Sequence, residues 1–523
     1  MNKIFKKLVC FLLIAGMLFG TSACGNSGKD DQNTPTVTTA DDSLNIVMTT
    51  APVGLHPIKT NDSASTDINA QVYETLYRRS LDGKSYEPLL ATALPVCDEA
   101  GTTCTITLQQ GVTFQDGTPF NSEAVKYTIE KIQDPDYGAA RASIANSIES
   151  IECPDDYTVV LHLLYPDGVL TAKLAHTNSA IVSPTADQNQ DLMVEPVGTG
   201  PYKFVSMISG SEVVLTRNDA YWGTAPEIKD ITFTVITDVS TAISRLETGE
   251  ADILKTVPET SVSRAQAISG YTTVTQPSSA ITYLALRNNS SVNPIMSELP
   301  FRQAIMMAID CDTYVSSVLG GLGSHSGSIL GPTVFGYTDA SEAYAYSYDP
   351  DAAKQIIIDN GYADEEITFL INNRSTTVAL AEYIQASLKA VGFNNVKIVQ
   401  EEWAAYLSDA KLDNAYDMTI LTWSNVTGDG SECLEPNFSS VAGSQRVRYN
   451  NTDFDALVDA SKKTLDSAER ISALDAASKM IEEDAVVSPL YNTFQIFTFN
   501  AGYENVNLDP GGLLYITDIT IVK

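Results

Sequence analysis

Residues 105–130 read TITLQQGVTFQDGTPFNSEAVKYTIE. The stretch opens inside TCTITLQ at 103–109, where apolar and polar residues alternate as in a half-buried strand. GVTFQDGTPF at 111–120 carries the glycine, aspartate and proline of a turn-rich link. A helix is expected next. Asn121 or Ser122 caps it, Glu123 meets the positive end of its dipole, and Val125, Ile129 and Ile132 share one face.

The same mixture continues on both sides. LNIVMTT at 44–50, VVLHLLY at 159–165, VVLTRN, ITFTVI at 231–236 and ADIL read as strands, with a helix around 239–248 between the last two. QVYETLY at 71–77 reads as helical. TTVTQPSSAITYLAL at 272–286 runs into a helical region at FRQAIMMAIDCD, and DPDAAKQIIIDNGY at 349–362 is a helix that Gly361 terminates. EITFLI at 366–371, VKIVQ at 396–400 and YDMTILTW at 416–423 are further strands. Between them, Leu380, Ile384, Leu388 and Val391 form one helical face. Strands separated by helices indicate an α/β design, and no solenoid repeat or low-complexity body interrupts it.

The first 30 residues are MNKIFKKLVCFLLIAGMLFGTSACGNSGKD. Lys3, Lys6 and Lys7 precede an apolar run from Leu8 to Phe19, shorter than the ~20 residues a membrane span requires. With Ser22 and Ala23 before Cys24, this reads as an export signal over 1–23 and resembles the lipobox of bacterial lipoproteins, although Thr21 stands where an aliphatic residue is usual. Acylated Cys24 would hold the protein on a membrane through a polar tether over 24–43. The expected location is the outer face of the bacterial cytoplasmic membrane, the periplasmic side in a Gram-negative cell.

Composition narrows the class. Roughly 480 residues beyond the signal exceed one ordinary core, so two or more lobes are expected. Thirty-two basic residues against 65 acidic ones give a net charge of −33, and loss of the three signal lysines makes it more negative. Such a field repels nucleic acid; it suits a cationic solute but equally serves plain solubility. Five cysteines follow Cys24, an odd number that leaves at least one thiol unpaired. Cys97 and Cys104 bracket the turn-like DEAGTT and are expected to bond across a hairpin. Cys311 with Cys433 is a weaker candidate pair that would leave Cys153 free. The spacing forms no metal cluster, and none of the four histidines, His56, His162, His176 and His325, belongs to a metal motif. Nucleophile-elbow, phosphate-loop and dinucleotide signatures are absent, so the chain reads as a binder rather than an enzyme, without a cofactor.

Several stretches together resemble one family, the extracellular solute-binding proteins of family 5, the peptide, opine and nickel group of ABC importer receptors. They are LHP at 55–57, QVYETLYRRSLDG at 71–83, YEPLLATALP at 86–95, the opening stretch, VGTGPYKFVSM, LTRNDAYWG, LETGEADIL, FRQAIMMAIDCD and GPTVFGYTDASEAYAYSYDPDAAKQIIIDNGY at 331–362. The resemblance runs from about residue 44 to 520. His56, Gln109 and Arg287 depart from the family's usual aspartate, arginine and asparagine.

The resemblance implies a two-lobed periplasmic-binding-protein-like α/β fold of the class II, cluster C type that closes on its solute. Lobe one would span 44–277 and 490–523, with an extra subdomain at about 58–194, and lobe two 278–489. The expected function is a monomeric receptor that captures a di- to oligopeptide and delivers it to a membrane permease and its ATPase. An opine, a modified peptide such as glutathione, or a nickel chelate is the alternative ligand. A signalling or adhesion lipoprotein on the same fold is the alternative role.

By the same resemblance, Arg374 in INNRSTT matches the arginine that takes a peptide carboxylate, against the plain reading of a surface loop arginine. Asp429 in TWSNVTGDGSE matches the aspartate that takes the peptide amine, against a solvated loop acid. Trp423 is either a cleft wall or core filler, Glu432 reads as an exposed acid, and Asn61, Asp62 and Ser63 are candidates to line the cleft from lobe one. Tyr202 and Tyr221-Trp222 are read as framework.

Overall fold

A computed structural model describes residues 40–289, 293–412, 416–441 and 446–522; the signal, Cys24 and the tether up to residue 39 lie outside them. Among the described residues no helix is long and apolar enough to cross a membrane.

An 11-stranded mixed sheet runs through the molecule. Its order is Asn395–Glu401, Glu366–Asn372, Met418–Ser424, Tyr271–Leu286, Val487–Asn500, Ile253–Leu254, Ser43–Met48, Asp230–Val235, Glu212–Arg217 and Tyr202–Ile208, with Gly323–His325 paired to the side of Val487–Asn500. The two long central strands are antiparallel partners, from Tyr271 opposite Asn500 to Ala285 opposite Val487. Their register shifts between Pro277 and Ile281 and again beside Pro489. Proline cannot donate to a ladder, so both interruptions fall where a strand tolerates it. Inside the first, Ser279 N–H donates to Pro510 O at 2.7 Å and Ser278 Oγ to Thr493 O at 2.9 Å.

Side-chain alternation along these strands builds the cores. Leu284 and Leu286 face one buried cluster with Phe301, Phe369 and Leu388, whereas Tyr283 and Ala285 face another with Tyr406, Phe438 and Leu474. Across the shift, Leu44, Ile46 and Met48 join a third cluster with Phe233 and Phe497, and Val47 and Leu254 a small fourth with Leu246. Two layers on each side of the shift make two lobes joined through one sheet. A separate four-stranded sheet, Val96–Cys97, Thr103–Thr107, Thr158–Leu163 and Ile148–Asp155, lies within the region read as an extra subdomain. Its Ile106, Leu161 and Ile151 belong to the same cluster as Leu44 and Phe233, so its core is continuous with that of lobe one.

The opening stretch folds as read. Thr103–Thr107 is a strand and Ser122–Gln133 a helix, with the Asn121 side chain accepting from Ala124 N–H and Val125, Ile129 and Ile132 buried. Gly361 ends the helix Pro350–Asn360 with φ of 74°, a left-handed cap that favours glycine. The helix expected at 71–77 is displaced: Asp62 caps a helix over Ser63–Val72, and Tyr77–Arg79 is a strand paired with Tyr86–Pro88. The aromatic and arginine run there belongs to a hairpin, not to a continuing helix.

Cys97 and Cys104 are disulfide-bonded neighbours on paired strands, with Cα atoms 3.9 Å apart. The pairing considered for Cys311 with Cys433 does not occur, and both are free thiols. Cys311 packs in the cluster of Leu284 and Cys433 in that of Tyr283, on opposite faces of the sheet, which separates them by its thickness. Burial pushes both thiols up to about 12, while Cys153 is only half-buried. Among the described free thiols, a thiol-alkylating reagent applied to the folded protein is therefore expected to modify Cys153 first, with Cys311 and Cys433 reacting only after denaturation. Peptide mapping by mass spectrometry reads the order, and early alkylation of Cys433 would contradict the packing.

Candidate functional site

Where the register of the two central strands shifts, a cavity of about 1420 Å³ opens between the lobes. Ser278, Ser279 and Phe494 line it from the interrupted ladder, Ser63, Asn69 and Glu259 from lobe one, and Arg374, Val426 and Thr427 from lobe two. Its volume exceeds the ~300–1,000 Å³ of most small-molecule sites.

The acids of the wall are mostly spoken for. Asp67 is ion-paired with Lys255, and both line the cavity. Glu74 accepts hydrogen bonds from Thr199 Oγ1 at 2.8 Å, Tyr221 Oη at 2.6 Å and Trp222 Nε1 at 2.8 Å. Burial raises its pKa, and these three donors partly oppose the rise. Tyr221 and Trp222, read as framework, thus act by holding this carboxylate. Asp509 accepts from Leu513 N–H at 2.9 Å, and burial raises its pKa too.

Arg374 precedes the helix Ser375–Val391, at the end of the strand Glu366–Asn372. It is exposed, and its guanidinium carbon lies 4.6 Å from the centre of the Trp403 ring. This cation–π contact supports the guanidinium without using its N–H groups. No carboxylate among the described residues pairs with it. The sequence gives no sign of Trp403 as its support, because the two lie on different elements.

Asp429 is placed differently from expectation. It is 2% exposed, lies outside the cavity wall, and is ion-paired with Arg470, itself 7% exposed. Its other oxygen accepts from Ser431 N–H at 3.1 Å and Oγ at 2.6 Å. A buried carboxylate already neutralised and hydrogen-bonded has nothing to offer a ligand amine, so the role carried over from the resemblance does not fit this arrangement. The Arg470 partner lies 41 residues away on the helix Ser467–Glu483 and leaves no trace in the local motif.

The remaining expected residues divide. Asn61 and Ser63 line the cavity, while Asp62 spends its carboxylate capping the helix through Ser65 N–H at 2.8 Å. Trp423 is half-buried against the Tyr283 cluster, outside the wall. Glu432, read as exposed, is half-buried and lies 3.8 Å from Arg141 of lobe one. Arg141 also donates to Asn61 Oδ1 at 3.1 Å.

The Arg141–Glu432 pair belongs to a seam between the lobes. Tyr86 Oη donates to Thr427 O at 2.6 Å and Arg79 Nη2 to Thr333 O at 2.9 Å. Arg79 crosses so close to Gly428 that a side chain there would collide with the guanidinium, and Gly428 also has φ of 79°. Farther along, Gly168 N–H donates to Lys462 O at 2.7 Å, and a Cβ at Gly168 would strike Thr464 O and Arg470. Sequence reasoning missed Arg79, Tyr86, Arg141 and Gly168 as seam residues, because each contact joins segments at least 200 residues apart.

Among the described residues no group of three or more His, Cys, Asp or Glu side chains is arranged to hold a metal. His56 bonds Asp187 and Tyr137, His162 faces Glu152, and His325 faces Asp312. His176 lines the cavity, and its Nδ1 accepts from Asn178 N–H at 3.1 Å. Desolvation, with nearby Arg141, lowers its pKa from 6.5 to about 3.

Two outcomes follow from these placements. Asp429→Asn strips the buried Arg470 of its counter-charge, and is expected to cost about 3–5 kcal/mol of stability in urea unfolding. An unchanged unfolding midpoint would refute the pairing. For His176, the unfolded chain takes a proton near pH 6.5 while the folded chain stays neutral to about pH 3. Its contribution is complete above pH 6.5 and is lost as pH falls, by about 1–2 kcal/mol between pH 7 and 5. A His176→Asn variant is expected to lose that part of the pH dependence, read from urea midpoints at both pH values.

Residues 85–445 match the family model described as bacterial extracellular solute-binding proteins, family 5 Middle. The glutathione-binding protein GsiB of Salmonella typhi is 27% identical over 453 residues, covering 83% of this chain and 86% of that protein. Two solved structures show the same fold. The ABC transporter substrate-binding protein CtaP of Listeria monocytogenes superposes with a TM-score of 0.83 at 21% identity, over 92% of this chain and 99% of that one. The dipeptide-binding protein of Pseudoalteromonas sp. SM9913, in complex with Met-Leu, gives 0.75 at 24% identity, over 92% and 100%. With a two-lobed α/β frame, a cavity between the lobes and a family match over most of its length, the chain belongs to the bacterial extracellular solute-binding proteins of family 5.

Proposed function

We propose that this protein is the receptor of an ABC importer that captures a short peptide between its lobes and hands it to a membrane permease driven by an ATPase. Lipidation of Cys24 would keep it beside that permease on the outer face of the membrane. The observation that carries the ligand class is Arg374: an exposed guanidinium on the cavity wall, oriented by Trp403 and lacking a carboxylate partner among the described residues. Such a fork meets a ligand carboxylate through two parallel charge-assisted hydrogen bonds. The similarity to a glutathione-binding protein supports a peptide-like solute.

An opine or a metal chelate also presents carboxylates to Arg374, so the same residue serves these ligands. The test is native mass spectrometry of the purified protein before and after partial unfolding, followed by calorimetric titration. A released mass that fragments as a peptide supports the reading, and a metal isotope pattern favours the chelate. Arg374→Ala is expected to weaken peptide binding at least about tenfold, or about 1.4 kcal/mol. Equal affinity in native and variant protein would remove the carboxylate role.

A further inference from the structure

Among the described residues five acids line the cavity: Asp67, Glu74, Glu259, Asp509 and Asp518. Asp67 is committed to Lys255, Glu74 to three side-chain donors, and Asp509 to the Leu513 backbone. Asp518 accepts from Thr517 Oγ1 at 3.4 Å. Glu259 differs from them all: it is exposed, and among the described residues its carboxylate has no hydrogen-bond or ion-pair partner.

Its position is nevertheless fixed. Glu259 opens a short turn over Glu259–Ser261, between Val257 and Val262, both buried in the small fourth cluster. Val257 N–H donates to Ile496 O at 2.8 Å, tying the segment to the long central strand beside the register shift. Glu259 therefore stands on lobe one as Arg374 stands on lobe two. Each is a charge facing one cavity, with no ion-pair partner of opposite sign among the described residues.

We propose that Glu259 is the specificity-determining acid of the site, taking the cationic group of a zwitterionic ligand whose carboxylate sits on Arg374. The identification of that ligand as a peptide rests on the function proposed above; the charge arrangement does not. A ligand carrying both charges links the two lobes electrostatically, whereas one carrying only a carboxylate binds one lobe and leaves Glu259 facing it unsatisfied. Exposure means that Glu259 gives up water only when the ligand arrives, so the pairing strengthens as the site is covered. Asp429, the acid that the local motif advertises for this task, is already held by Arg470.

The experiment compares one peptide with a free amine against its N-acetylated form, titrated calorimetrically into the full-length native protein, Glu259→Gln and, as an exposed acid outside the cavity wall, Glu504→Gln. The expected result is a preference for the free amine of at least tenfold in the native protein and in Glu504→Gln. It should fall to under threefold in Glu259→Gln, with the acetylated peptide binding both forms alike. Matching thermal melts of the unliganded proteins confirm that the substitutions leave the fold intact. A preference that survives in Glu259→Gln overturns the assignment while leaving the peptide reading in place. An equal loss for both peptides in Glu259→Gln also overturns it, because the side chain would then be acting on the site generally. Failure of native protein to bind either peptide, over a panel of lengths, overturns the peptide reading and this use of Glu259 together.

Discussion

One antiparallel pairing, between Tyr271–Leu286 and Val487–Asn500, holds the molecule together. It is a single ladder that belongs to both lobes, and every other strand of the large sheet extends it on one side or the other. Because successive side chains point to opposite faces, these two strands also distribute the apolar residues among all four cores. The cavity lies where the ladder breaks register, since a bulge adds twist and frees backbone groups that continuous pairing would occupy. The interruption that lets the sheet bend is thus the one that makes room for a solute.

Much of this frame is legible in the sequence. The alternation at Thr103–Thr107 and the Asn121 cap are local signals, decided by neighbours within a few residues, and the structure follows them. The helix at Ser63–Val72 was harder to place, because its start depends on Asp62 while the more apolar run follows its end. The pairing of Cys97 with Cys104 is likewise local, whereas the question of Cys311 and Cys433 turned on which face of a sheet each residue meets. That depends on register between distant strands, which no short motif encodes.

The site was legible only in part, for the same reason. Arg374 could be singled out through the family resemblance, and it lines the cavity. Asp429 could be singled out just as well, yet its charge is neutralised by a residue on a distant helix. Glu259 carries no motif and becomes conspicuous only when the partners of the other acids are assigned. Which carboxylates remain unpaired is a property of the whole tertiary structure.

The contact at Gly168 has a consequence for how such a protein diverges. There, lobe one meets lobe two through a backbone N–H on a backbone oxygen, with no side chain of either residue taking part. Gly168, Lys462, Thr464 and Arg470 all lie outside the cavity wall. Substitutions that alter what the cavity accepts therefore leave this contact untouched, and it contributes the same bias toward association of the lobes whatever solute is bound. Ligand choice and the fit of the lobes rest here on different atoms, so descendants of this chain can exchange one solute for another without having to relearn how to dock.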